Sequence, residues 1–315
     1  MPQLVENFHT VLESHTAGDP MREEVIWTDL TATDIAASLT ELGTPASVYI
    51  VDQLLDMDGY RLRKALKSCP MGPSPDRDVQ FQNIARLKAE YWDSPNPILS
   101  IDSKKREMIG NFYRDGKLYT RQTQLTFDHD YSRFADGVII PHGIYDLRRN
   151  FGYIHLGTSH DTSLFACDCL EDWWERYGKD QYSQARSILL LCDGGGSNSA
   201  RTYLLKADLQ RVVNRLGIEV RVAHYAPYCS KWNPIEHRLF PHLTRACQGV
   251  IFRSVALVKQ LMEKARTRTG LRVVVDVVDK VYEVGRRVAD EVKKTLNFVR
   301  DDLLPQLNYR VLPQT

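Results

Sequence analysis

The sequence predicts an α/β protein: a mixed sheet flanked by helices, with an all-α module in front of it. Three observations carry that prediction. Two short amphipathic patterns meet at Gly43, strand and helix patterns alternate beyond a stretch rich in Pro and Gly at 69–77, and SILLLC at 187–192 reads as a strand buried on both faces. A length of 315 residues suits a large domain carrying a smaller module. With 43% hydrophobic and 26% charged residues, wholesale disorder and coiled coil are excluded.

Taken in order, Thr31 and Asp34 form a capping-box start to a helix over Ala32–Leu42, in which Ile35, Leu39 and Leu42 make an apolar stripe. Gly43 ends it, and Thr44 and Pro45 restart a second helix whose buried face is Val48, Val51, Leu54 and Leu55. The pair fits a helix-turn-helix, and equally an ordinary helical hairpin. In the first case Ser47, Tyr49, Asp52 and Gln53 face the major groove of double-stranded DNA, and Arg61, Arg63, Lys64 and Lys67 contact phosphates. A helix over 78–92 follows, and DSPNP at 93–97 sets a domain boundary near residue 95. The expected domains are thus 1–95, a DNA-binding region, and 96–315.

Beyond that boundary, strands are expected at Ile98–Ile101, Leu118–Thr126 and Phe151–Leu156, then a helix over Asp161–Tyr177 and the strand Ser187–Cys192. A helix over 199–216 stopped by Gly217, a strand Ile218–Ala223 and a helix Pro234–Cys247 complete the series. That is the element order of a ribonuclease-H-like core.

Three acids stand at informative places: Asp102 ends the first strand, Asp193 ends the fourth, and Glu236 lies in the first turn after the fifth. Ends of neighbouring strands converge on one crevice, so these acids can meet. Clustered carboxylates repel, and a hard divalent cation with oxygen ligands relieves the repulsion. The expected ligands are therefore Asp102, Asp193 and Glu236, for Mg²⁺ with Mn²⁺ as substitute. Two such ions, about 3.5–4 Å apart, activate the attacking oxygen and stabilise the leaving oxygen of a phosphodiester. Plainer readings exist: Asp193 before three glycines suits a turn, and Asn233, Pro234 and Glu236 make a capping-box variant.

Lys104, Lys105 and Arg106 put positive charge beside the acids, as a polyanion requires, although a solvated turn also explains them. His237 adjoins Glu236 and could touch a phosphate. GGGSNS at 194–199 lacks the ending of a phosphate loop, and the nine histidines show no zinc spacing. Lys+Arg 41 against Asp+Glu 40 gives a net charge of +1, so any nucleic-acid binding rests on local patches. The six cysteines form no CxxC pair, and no apolar run approaches the roughly 18 residues of a membrane span. A cytoplasmic protein with reduced thiols and no membrane partner is expected.

The words DSKKREMIGNF (102–112), PHGIYD (141–146), SHDTSLFA (159–166), CDGGGSN (192–198) and SKWNPIEHRLF (230–240) together resemble bacterial insertion-sequence transposases of the DDE class, in the Rhodopirellula-type family. The resemblance implies a ribonuclease-H-like catalytic domain over 96–315 and a metal-dependent transposase acting on the ends of its own element. It places the acid triad on Asp102, Asp193 and Glu236, and gives Ser230, Lys231, Trp232 and Asn233 the shaping of the approach to the glutamate and the DNA backbone. It also implies a homo-oligomer on DNA in the bacterial nucleoid, since two element ends react together. Little chain precedes the helix-turn-helix, so a shortened DNA-binding region is expected. A nuclease with the same triad and a non-catalytic DNA-binding descendant are the alternatives.

Overall fold

The computed structural model describes residues 2–19, 22–63, 75–198 and 202–314, which divide into one compact unit within Met1–Cys69 and another within Pro70–Thr315. Lys64 and Lys67, expected at phosphates, lie outside the described residues.

In the first unit, α1 (Pro2–Glu13) precedes an antiparallel pair, β1 (Thr16–Asp19) and β2 (Arg22–Thr28), and then α2 (Ala32–Glu41) and α3 (Val48–Met57). The β1–β2 pair was not part of the helical reading. Thr31 forms the expected capping box with Asp34. Gly43 takes φ +78°, and the Thr44 amide donates to the Leu39 carbonyl, a left-handed stop that an L side chain disfavours. The second helix starts later than expected, because Ser47 rather than Thr44 is its N-cap, its Oγ accepting from the Ile50 amide. Phe8, Val11, Leu12, Ile35, Leu39, Val51 and Leu54 form this unit's core.

The second unit begins with α4 (Pro75–Trp92). Ile84, Leu87 and Tyr91 of this helix join the core of the sheet, so α4 belongs with the sheet, and the division falls ahead of it rather than near residue 95. There follow β3 (Ile98–Ser103), β4 (Glu107–Ile109), β5 (Gly137–Asp146), β6 (Phe151–Gly157), α5 (Ser163–Trp173), α6 (Lys179–Gln181), β7 (Ser187–Cys192), α7 (Tyr203–Leu216) and β8 (Glu219–His224). The chain ends with α8 (Pro234–Arg238), α9 (Phe240–Ala246), α10 (Val255–Glu263), β9 (Arg272–Val278), α11 (Asp290–Thr295), β10 (Phe298–Arg300) and β11 (Asn308–Val311).

Among the described residues these strands form one nine-stranded sheet in the order β10-β11-β8-β7-β3-β5-β6-β9, with β4 paired to β5. Its centre, β6-β5-β3-β7-β8, has β5 antiparallel to the other four. This is the ribonuclease-H-like arrangement that the element order predicted. One apolar layer packs α4, α8, α9 and α10 against the sheet, and the opposite layer packs α5 and α7.

Two expectations change. The second core strand is β5, not Leu118–Thr126, which is irregular here. Pro141 disguises β5, because proline cannot donate to a ladder. It is tolerated because its carbonyl, and so its nitrogen, faces the gap between β3 and β4, where the Lys104 amide donates to the Pro141 oxygen. The helix expected over Pro234–Cys247 is broken at Leu239, since Pro241 can neither donate to nor clear the carbonyl four residues back.

Candidate active site

Side chains alternate across a strand. Leu189 and Leu191 of β7 therefore share the α8 face of the sheet with Ile98 of β3, and Leu190 and Leu99 the other. Continuing that alternation puts Ser100, Asp102 and Asp193 on the α8 face. The parallel register pairing Ser100 with Leu191 brings Asp102 alongside Asp193, just beyond the last residue of β7. Glu236 arrives from the third position of α8.

Buried polar residues seat that helix. Ser100 and Asn233 are both fully buried. The Ser100 hydroxyl donates to Asn233 Oδ1 at 2.5 Å and accepts from the Ile235 amide at 3.0 Å, while Asn233 Nδ2 donates to the Ile101 carbonyl at 3.0 Å. Asn233 thus makes no side-chain cap, and the capping-box account of Glu236 does not hold. The expectation that Asn233 meets DNA is corrected for the same reason: its amide is spent inside the protein. Gly143, register partner of Asp102, completes the seat, because a Cβ there would lie 2.7 Å from Ile235 Cδ1 and 2.9 Å from Phe240 Cε1.

The acids act on one another. Burial raises the Asp102 carboxyl to about 8, helped by the negative charges of Asp193 and Glu236, and Glu236 lies close enough to share a proton with it. The Ser103 amide, donating to Asp102 Oδ1 at 2.8 Å, opposes the shift. Asp193 is also raised, by burial and then by Glu236 and Asp161, against the Gly195 amide. An all-carboxylate donor set whose mutual repulsion raises Asp102 and Asp193 fits a hard divalent cation, which removes the repulsion.

Among the described residues, the group of three with ligand atoms within 4.8 Å of one another is instead His155, Asp172 and Asp276. There Arg176 already bridges Asp172 at 3.3 Å and Asp276 at 2.8 Å, so that group is an ion-pair network supplied with its own cation.

The other expected residues divide. Lys105 and Arg106 are exposed beside Asp102, whereas Lys104 is mostly buried and paired with Glu107. Lys231, Trp232 and His237 are exposed next to Glu236, with the Lys231 ammonium 5.5 Å from the Trp232 ring. In the other unit, Ser47 and Arg63 are exposed, Ser47 as a helix cap, and Arg61 is paired with Asp56 at 2.7 Å.

Asp161 was missed. It accepts from Ser103 Oγ at 2.9 Å and acts on Asp193. Its place before the Thr162 cap and the Ser163 start of α5 gave it the look of helix-start chemistry only. The described cysteines, 167, 169, 192, 229 and 247, are free and buried, and no helix among the described residues is long and apolar enough to cross a membrane.

The molecule is thus a ribonuclease-H-like sheet whose central strands and following helix bring three carboxylates together. The match that carries the family is to the Rhodopirellula transposase DDE domain, over residues 7–313. The chain belongs to that family of DDE transposases. No curated relative matches the chain. Solved structures similar to it include the Mos1 transposase paired-end complex with left transposon end, at 15% identity over 82% of this chain and 70% of that one, TM-score 0.46. The Mos1 mariner paired end complex with Mn is similar at 15% identity over 82% and 70%, TM-score 0.45. The Mos1 Strand Transfer Complex follows at 16% identity over 82% and 69%, TM-score 0.45.

Proposed function

We propose that this transposase cuts double-stranded DNA at the ends of its element and joins the freed 3′-hydroxyl to target DNA, with Asp102, Asp193 and Glu236 as the catalytic, metal-holding acids. The observation that carries the reading is the convergence of these three carboxyls from two strands and a helix onto one face of the sheet. Mg²⁺, or Mn²⁺ in its place, would there supply charge for the attacking and leaving oxygens of a phosphodiester, with two ions expected.

The chain's own groups orient the substrate. Exposed Lys105 and Arg106 draw the phosphate backbone towards the acids. Lys231, Trp232 and His237 border Glu236 and line the approach. Ser47, Arg61 and Arg63 belong to the helix-turn-helix unit, which holds element ends, and reaction at two ends requires a homo-oligomer on DNA. The protein works in the bacterial cytoplasm, at the nucleoid.

The test is a Mg²⁺/Mn²⁺ cleavage and strand-transfer assay on DNA carrying the gene's own flanking sequence, comparing wild type with Glu236→Gln. Joined products from wild type, absent with the variant, are expected. Cut but unjoined products would make the protein a nuclease, and DNA binding with neither product in both proteins would make it a non-catalytic binder.

A further inference from the structure

We propose that His224, in its neutral Nδ1–H form, is a positioning residue that fixes the backbone of Asp193, a form that the Asp193 carbonyl requires and the Tyr309 hydroxyl supports by donating to Nε2. The inference rests on the reading of Asp193 as a metal-holding acid. The parallel ladder between β7 and β8 ends where Cys192 meets His224. Asp193 lies one residue further, so its carbonyl has no strand partner. Downstream come Gly194, Gly195 and Gly196, the last at φ +55°, a sequence with little stiffness of its own to hold the acid.

His224 supplies the missing rung with its side chain. Nδ1 lies 2.8 Å from the Asp193 carbonyl oxygen and 3.3 Å from Cys192 Sγ. A carbonyl is an acceptor only, so the 2.8 Å contact requires the proton on Nδ1. Nε2 is then a bare acceptor, and it lies 3.2 Å from the Tyr309 hydroxyl, which donates to it. Both residues are fully buried. A fully buried ring whose side-chain partners are a carbonyl, a thiol and a hydroxyl, with no carboxylate among them, has nothing to hold a second proton, so it carries one proton only.

The anchor is itself anchored. The His224 amide donates to the Leu307 carbonyl, and Gln80 Nε2 of α4 donates to the His224 carbonyl at 2.7 Å. Gln80 and Asn308 exchange two further amide bonds at 2.9 and 2.7 Å. Asp193 is therefore held from its C-terminal side by α4 and β11, acting through one imidazole. Outer residues that orient ligands typically change metal affinity by about 10–100-fold when lost.

The experiment uses the full chain. With ¹⁵N-histidine labelling at pH 7, the His224 resonances, assigned by their loss in His224→Asn, are expected to show the Nδ1–H tautomer in wild type and to change in Tyr309→Phe. Mn²⁺ titration followed by electron paramagnetic resonance supplies the second readout. His224→Leu and His224→Gln are expected to weaken Mn²⁺ binding about 10–100-fold. His224→Asn, whose Nδ2 donates from the place of Nδ1, is expected to stay within about threefold of wild type by the same reasoning. An Nε2–H tautomer overturns the proposal, as does an Asn variant as weak as Leu. Leu binding like wild type while Asp193→Asn loses Mn²⁺ overturns it with the acid site intact. If Asp193→Asn binds Mn²⁺ normally, the acid-site reading falls and the proposal with it.

Discussion

Removing the hydroxyl of Ser100 should weaken the second unit and disable the site more than it weakens the fold. Ser100→Ala deletes one oxygen from a fully buried position and leaves the Ile235 amide and Asn233 Oδ1 without the partners they have at 3.0 and 2.5 Å. A buried polar group left unsatisfied costs about 1–3 kcal/mol, so two of them cost about 2–6 kcal/mol. The middle of that range, set against a typical total of about 5–15 kcal/mol, leaves the variant folded. The damage falls between β3, which carries Asp102, and α8, which carries Glu236. Since a misplacement of about 1 Å can cost roughly 100-fold in rate, metal-dependent cleavage should drop about that far at 25 °C in folded protein. The assay pairs urea unfolding, followed by the near-ultraviolet signal of buried Trp173 and Trp174, with cleavage under conditions where that signal is native. Ser100→Ala and Asn233→Leu should also be non-additive by at least about 0.5 kcal/mol, because they share a hydrogen bond. A stability loss under about 0.5 kcal/mol with cleavage within twofold of wild type would refute the clamp.

Other expectations follow from single contacts. Gly143→Ala forces a methyl against Ile235 and Phe240 and should cost about 1–3 kcal/mol and lower cleavage, whereas Gly137→Ala, also on β5, meets nothing within 4 Å and should do neither. Burial pushes the Glu107 carboxyl up, but Lys104 and then Arg114 outweigh it and hold it below the ordinary 4.5. A depressed folded-state value means stability that is present above pH 4.5 and lost as the pH falls through the folded value. Glu107→Gln should therefore lower stability by about 1.5–3 kcal/mol at pH 7, and urea midpoints of the two proteins should converge in acid. Lys105→Ala and Arg106→Ala should each reduce the slope of log affinity for DNA against log salt by about 0.9, measured by fluorescence anisotropy. Arg286→Ala should leave it unchanged, because Nη1 and Nη2 of the guanidinium are committed to the buried Asp208 at 3.1 and 2.8 Å.

The part of this architecture legible in the sequence is the part written in repeated signals. SILLLC at β7 can be little but a buried strand, Thr31 and Asp34 announce a helix start, and an acid straight after an apolar run marks a strand end, which is how Asp102 and Asp193 stood out. β5 was misplaced because its signal is mixed: Pro141 and Gly143 interrupt the run, and what permits them is a gap in one neighbouring edge and a helix lying close on the face. Neither condition exists until the chain is folded. The same holds for the groups that aim the acids. Ser100 in an apolar strand, Asn233 before a proline and His224 at a strand end each have an ordinary local explanation, and each is instead fully buried and bonded across more than thirty residues of chain. The word SKWNPIEH shows why no local reading could separate them. Lys231, Trp232 and His237 in it face solvent, while Asn233, Pro234 and Ile235 between them are sealed against β3, so a single short segment carries both the exposed groups proposed to border the substrate and the bolt that holds Glu236 in place. Charge and aromaticity make the first set candidates from sequence alone; only the packing of α8 against β3 reveals the second.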